Sequence, residues 1–190
     1  TLKWTGDFEN QQRASKRLAQ VVPVSIAIIF VILFILFSNA RDAGLVLLNV
    51  PFAAAGGIIA LLITHFNFSI SAGIGFIALF GICIQNGVIM ISGIKSNVRS
   101  HIPLSEAVKN TVRSRVRPVV MTAAMAAIGL MPAALSHGIG SESQRPLAIV
   151  IIGGVLCDTF FTLFIFPLIV EVIYGKTLYD KEGKLRQRRV

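Results

Sequence analysis

One carboxylate and one amide pair stand where few polar groups are tolerated. Asp158 falls near the middle of the apolar run 147–173, LAIVIIGGVLCDTFFTLFIFPLIVEVI. Gln85 and Asn86 sit inside 69–94, SISAGIGFIALFGICIQNGVIMISGI, between Gly81 and Gly87. Each run is long enough to cross a bilayer, for which about 20 apolar residues suffice. A carboxylate at the centre of a spanning helix costs on the order of 2.5–3.5 kcal/mol on insertion scales. The Leu, Ile, Val and Phe around it return roughly 0.3–0.6 kcal/mol each. The helix therefore inserts, with its acid turned toward protein. There Asp158 is either a proton-relay or cation-site carboxylate, or a paired acid that only holds helices together. The amides pose the same choice. Lipid offers them no hydrogen bonds, so Gln85 and Asn86 must face neighbouring helices or a wet cavity.

Other chemistry-bearing residues are sparse. Arg115 and Arg117 stand at the entrance of the run 118–135. Arg117 reads as a topology anchor, whereas Arg115 can turn inward toward a proton path. Thr122 is the main polar group of that run. Met121, Met125 and Met131 share it, and thioethers suit soft ions such as Cu(I), but methionine is also ordinary packing material. His137 and Glu142 are two isolated ligand types in one loop, too few for a metal site. His65, alone at the edge of another loop, reads as structural. No GxxxxGK[ST] run and no Ser/His/Asp arrangement is present, so neither nucleotide-driven nor hydrolytic chemistry is expected, and no cofactor is implied. Cys83 and Cys157 lie in apolar runs and read as small buried hydrophobes rather than a disulfide.

The elements that position these residues are membrane spans. We read an all-α membrane protein with five transmembrane helices, at about 21–37, 44–63, 69–94, 118–135 and 147–173, within a bundle covering 21–174. A polar lead-in (1–20) precedes it, with a weak amphipathic pattern over Gln11–Arg17. A basic tail (175–190) follows. Pro51 is expected to bend the second span and Pro167 the fifth. Gly56, Gly57 and Ala60 form a close-contact face in the second, as Gly153-Gly154 does in the last. The Ala- and Gly-rich fourth span, opened by Pro118, is expected to pack tightly on other helices. Within 95–117, Leu104, Ala107, Val108, Thr111 and Val112 keep helical spacing after Pro103. This predicts a short interfacial helix lying along the cytoplasmic surface.

The net charge of +9 needs no nucleic-acid partner, because the basic residues cluster beside the spans. Segment 95–117 carries six (Lys95, Arg99, Lys109, Arg113, Arg115, Arg117), and the tail another six (Lys176, Lys181, Lys184, Arg186, Arg188, Arg189). Five spans put both on one side, which the positive-inside rule makes cytoplasmic. The lead-in lacks the apolar stretch of a signal peptide, and a chain without an initiating Met reads as a piece of a longer polypeptide.

Several blocks carry a family likeness: GDFENQQRASKRLAQVVP (6–23), LLNVPFAAAGG (47–57), GFIALFGICIQNGVIMISGI (75–94), RSRVRPVVMTAAMAAIGLMPAALSHGIGSESQRPLA (113–148) and VIIGG (150–154). Together, in this order, they resemble the last five transmembrane helices of a twelve-helix resistance-nodulation-division efflux pump. The GDFENQ start and GIGSESQRPLA loop are similar to the heavy-metal, cobalt–zinc–cadmium branch rather than the drug branch. The resemblance implies a proton-driven exporter of metal cations in the bacterial inner membrane. It implies a homotrimer working with a periplasmic adaptor and an outer-membrane channel, and a remainder of the pump polypeptide that supplies the principal proton-carrying helix and the substrate-binding porter domain. It puts Gln85 in the place of a relay lysine of the drug branch. Asn86, Arg115 and Thr122 match positions that belong to or line the proton path. Asp158 departs, since relatives carry a small residue there, and it can supply a charge that Gln85 does not. A drug-exporting relative, a non-transporting membrane scaffold and a channel are the alternative readings.

Overall fold

The computed structural model describes residues 20, 23–136, 138 and 141–175. Residues 1–19 of the lead-in, with the pattern read over 11–17, the tail from 176 on, and His137 lie outside these. Every regular element among the described residues is helical. They are α1 (Pro23–Phe37), α2 (Ala40–Leu47), α3 (Asn49–Ile63), α4 (Ile70–Arg99), α5 (Leu104–Leu135) and α6 (Ser141–Phe160). After α6 a π-turn, Phe161–Ile165, carries the same helix on to Gly175. Four stretches are long and apolar enough to span a membrane: Ala40–Ile63, Ile70–Arg99, Leu104–Leu135 and Ser141–Gly175. The first expected span is present as the shorter apolar helix α1.

Three boundaries differ from the sequence expectation. The stretch SNARDA (38–43), expected as a polar turn between the first two expected spans, ends as a turn at Asn39, which caps α2 through its side chain; Asp42 therefore lies inside a helix, fully buried. Leu48 alone separates α2 from α3. The cause is Pro51, which has no N–H to offer the Leu47 carbonyl. Finally, the separate surface helix after Pro103 is not found. Leu104–Arg117 is the first part of α5, which runs on through Pro118 and Pro132. Asn97 of α4 accounts for this: its Nδ2 donates to Thr111 Oγ1 at 2.9 Å and to the Ala107 carbonyl at 3.4 Å. With Ala107, Val108 and Thr111 buried below Pro118, and Val119 and Ala123 buried above it, one lost backbone bond does not break the helix.

Two helices end on histidine. At the end of α3, His65 (φ 55°) follows Thr64, and the Phe66 N–H reaches the Leu61 carbonyl at 3.1 Å. At the end of α4, His101 (φ 64°) follows Ser100, and the Ile102 N–H reaches the Asn97 carbonyl at 3.3 Å. Both are Schellman closures, in which glycine is the usual left-handed residue. A side chain there costs roughly 1–2 kcal/mol. His65→Gly is accordingly expected to raise the thermal midpoint of the intact protein, by about 1 kcal/mol of stability. A lower midpoint would mean that the imidazole makes a compensating contact.

The closest-packed pair is α3 with α6, and α4 packs on both. A Cβ added at Gly56 would meet Cys157 and, at 2.8 Å, the Gly153 carbonyl; one at Gly153 would meet Ala60 and, at 3.0 Å, the Gly56 carbonyl. The backbones thus touch, as the small-residue faces predicted. The Ala- and Gly-rich α5 is the opposite case. It is the least buried of the four long helices, and Met121, Met125, Ile128, Met131 and Leu135 are exposed. Its expected tight packing is not made among the described residues, where Gly129 has no atom within 4 Å of its absent Cβ.

The core is in two parts. One cluster joins Leu33, Val46, Met90, Ile91, Ile94, Phe161, Phe166 and Val170 toward the basic end of the bundle. The other joins Ala53, Leu61, Phe76, Leu79, Cys83, Ile149, Val150 and Val155 toward the opposite end. There Arg145 Nε donates to the Ala134 carbonyl at 3.0 Å, with its guanidinium 5.0 Å from the centre of the Phe66 ring.

Candidate functional site

The layer between the two clusters is polar. Asp158 is 0% exposed, with Val155 of one cluster before it and Phe161 of the other after it. Asn86 lies likewise between Cys83 and Met90 on α4, and Asn49 between Val46 and Ala53 on α3. Asn86 Nδ2 donates to Asp158 Oδ2 at 2.8 Å, and Thr162 Oγ1 approaches Asp158 Oδ1 at 3.4 Å. Thr162 is itself 0% exposed and belongs to the π-turn. Such turns inside α-helices recur at functional sites.

This arrangement can handle a proton. An amide offers both a donor and an acceptor. Asn86 can therefore give its N–H to a carboxylate, or turn its oxygen to receive the O–H of a carboxylic acid. The Thr162 hydroxyl has the same two-way capacity.

Of the five residues marked by sequence, the structure brings two together, Asn86 and Asp158. Gln85 is exposed on the neighbouring face of α4. Thr122 is exposed too, and its hydroxyl donates back to the Pro118 carbonyl at 2.9 Å. Arg115 is half-buried on α5 and joins neither carboxylate. The thioethers of Met121, Met125 and Met131 all face outward. Among the described residues no group of three or more His, Cys, Asp or Glu is placed to hold a metal.

Besides Ser141 and Thr162, sequence reasoning passed over two further buried polar residues. Asp42, at the basic end, pairs with Lys95 of α4 and accepts a hydrogen bond from Tyr174 Oη at the end of the α6 helix. Lys95 Nζ also donates to the Phe37 carbonyl at 3.4 Å, closing α1, α2, α4 and the α6 helix around one charge pair. Asp42 was hidden by its neighbours: Ser38, Asn39 and Arg41 read as a loop. Asn49 is the other. It is 0% exposed, and no protein group among the described residues bonds either atom of its amide. The seven-residue step from Asp42 to Asn49, two helical turns, was the available signal.

Comparison with known proteins places this geometry. The AcrB/AcrD/AcrF family matches residues 1–174. The chain is 44% identical over 175 residues to the cobalt-zinc-cadmium resistance protein CzcA of Cupriavidus metallidurans, covering 92% of this chain and 16% of that protein. Over 176 residues it is 46% identical to protein HelA of Legionella pneumophila, covering 92% of this chain and 17% of that protein. Among solved structures, that of a heavy metal efflux pump superposes with a TM-score of 0.80 at 45% identity, over 88% of this chain and 17% of the other. The chain thus spans about a sixth of the length of the relatives it matches. With its helical architecture and a family match that runs through every described helix, the chain belongs to the AcrB/AcrD/AcrF family, and it is similar along nearly its whole length to one segment of heavy-metal efflux proteins.

Proposed function

We propose that this segment forms part of a proton-driven transporter exporting heavy-metal cations across the bacterial inner membrane, and that Asp158 with Asn86 carries protons within it. One observation bears the reading: a carboxylate wholly inside a bundle of apolar spans, held at 2.8 Å by an amide that can serve either of its protonation states. Intramembrane acids of this kind default to relay or coupling roles. Gln85 and Thr122, exposed in this chain, and Arg115 are assigned to the same relay across a face completed by the rest of the polypeptide. In this reading the intact protein is a homotrimer with its basic end cytoplasmic, joined to a periplasmic adaptor and an outer-membrane channel. The metal is cargo, taken up outside this segment.

The test uses the intact protein in proteoliposomes with a pH-sensitive dye inside and a divalent metal added. Asp158→Asn is expected to cut metal-dependent proton flux at least tenfold at equal incorporation, while Asp158→Glu retains most of it. A factor of ten corresponds to about 1.4 kcal/mol in the coupled step. Full flux from Asp158→Asn would reject the assignment.

A further inference from the structure

We infer that the α3–α4–α6 junction holds a bound internal water, seated on Asn49 and reaching Asp158, and that this water makes the Asp158 proton exchangeable. The role given to the water rests on the proton reading above; its presence does not.

Three observations locate it. First, Asn49 is a buried amide whose oxygen and nitrogen have no protein partner among the described residues. A neutral polar group left so costs about 1–3 kcal/mol in a protein interior, and surrounding lipid cannot relieve it. Second, Asn49 lies in the Asp158 layer. A Cβ on Gly87, the residue after Asn86, would come within 2.6 Å of Asn49 Nδ2. One turn along α3, the Phe52 ring stacks on Phe161 at 3.9 Å between centroids, and Phe161 directly precedes Thr162. Third, the layer supplies what a buried water requires, namely two to four polar partners: the Asn49 amide, the Thr162 hydroxyl, the Asn86 oxygen and the Asp158 carboxylate.

The alternative roles for Asn49 are weaker. As helix glue it would need a bonded partner, and none of its protein neighbours serves. As a cap it is misplaced, because it is the first residue of α3 and Leu48 before it makes no side-chain cap. An apolar residue of the same size would pack there without the desolvation cost, so an asparagine that merely fills space is the least stable choice.

Hydroxyl-radical footprinting by brief synchrotron irradiation reads bound water directly, because radicals form where water resides. Cys83 and Met90 flank Asn86 by about one turn on either side, are both 0% exposed and carry the most reactive side chains in the layer. In the intact protein, oxidation of Cys83 or Met90 is expected at rates comparable to exposed Met125. Asn49→Leu is expected to lower that labelling about tenfold while the thermal midpoint holds or rises. Asn49→Ser, which keeps a polar group and makes room, should retain it. Absence of labelling in the unaltered protein, or equal labelling in Asn49→Leu, would overturn the inference. The two readings separate cleanly. Asn49-dependent labelling together with full proton flux from Asp158→Asn would sink the relay and leave the water. Absent labelling with flux lost in Asp158→Asn would sink the water and leave the relay.

Discussion

Replacing Lys95 by methionine is expected to destabilise the intact protein by about 3–5 kcal/mol, the cost of leaving a buried charge without its partner. Asp42 has a side chain 1% exposed and Lys95 one that is 28% exposed, so the carboxylate bears nearly all of the desolvation. Methionine keeps most of the stem volume that lies along Phe37 but offers nothing to Asp42 or to the Phe37 carbonyl. Tyr174→Phe removes one hydrogen bond to the carboxylate and should cost less, about 1.5–3 kcal/mol. The double variant Asp42→Leu/Lys95→Met removes both charges and is expected to recover most of the lost stability, since apolar replacements of buried ion pairs are often neutral. Melting of the detergent-solubilised protein, followed by fluorescence-detected size exclusion, reads all three. A Lys95→Met midpoint equal to that of the unaltered protein, or a double variant no better than the single, would show that the pair is not held as described.

Crowding between α3 and α6 predicts a second large effect. Gly56→Ala places a methyl 2.8 Å from the Gly153 carbonyl, a backbone atom that cannot swing aside. Overpacking of this kind costs typically about 1–3 kcal/mol. Gly153→Leu should cost more and abolish folding, because it drives a branched side chain into Ala60 and forces apart the helices that frame Asp158. Expression of a monodisperse protein from Gly153→Leu, with an unchanged midpoint for Gly56→Ala, would contradict the observed backbone contact. Loss of proton flux in Gly56→Ala at preserved folding would locate the effect in the spacing of the Asp158 layer.

Much of the architecture was legible because the signals were local. Long apolar runs declare spans, and paired small residues at Gly56–Ala60 and Gly153-Gly154 declare a close crossing. What failed were the places where tertiary contact overrides local cues. Pro118 looked like a helix start, but Asn97 and Thr111 stitch the segment before it to α4, and that packing outweighs one missing backbone bond. The SNARDA stretch looked like a turn, yet a carboxylate there is worth burying once Lys95 and Tyr174, which lie 53 and 132 residues away, meet it. No local pattern reports such partners. The candidate site divides in the same way. Asp158 and Asn86 were conspicuous as polar residues in apolar surroundings. Asn49, two residues before Pro51 and its expected bend, was not marked at all. Gln85 and Thr122 sit on faces that the described residues leave open, and nothing in their spacing tells such a face from a packed one.

The wide turn at Phe161–Ile165 has a geometric result that reaches the far end of its helix. At 3.6 residues per turn each step rotates by about 100°, so sixteen regular steps from Asp158 to Tyr174 would leave the two facing almost opposite ways, about 160° apart. Absorbing one extra residue in a π-turn takes out about one step of rotation and narrows that angle to about 60°. A single rod thereby presents both its mid-depth acid and its terminal phenol to the same interior, and each finds its partner on α4 or α2 without the rod having to twist.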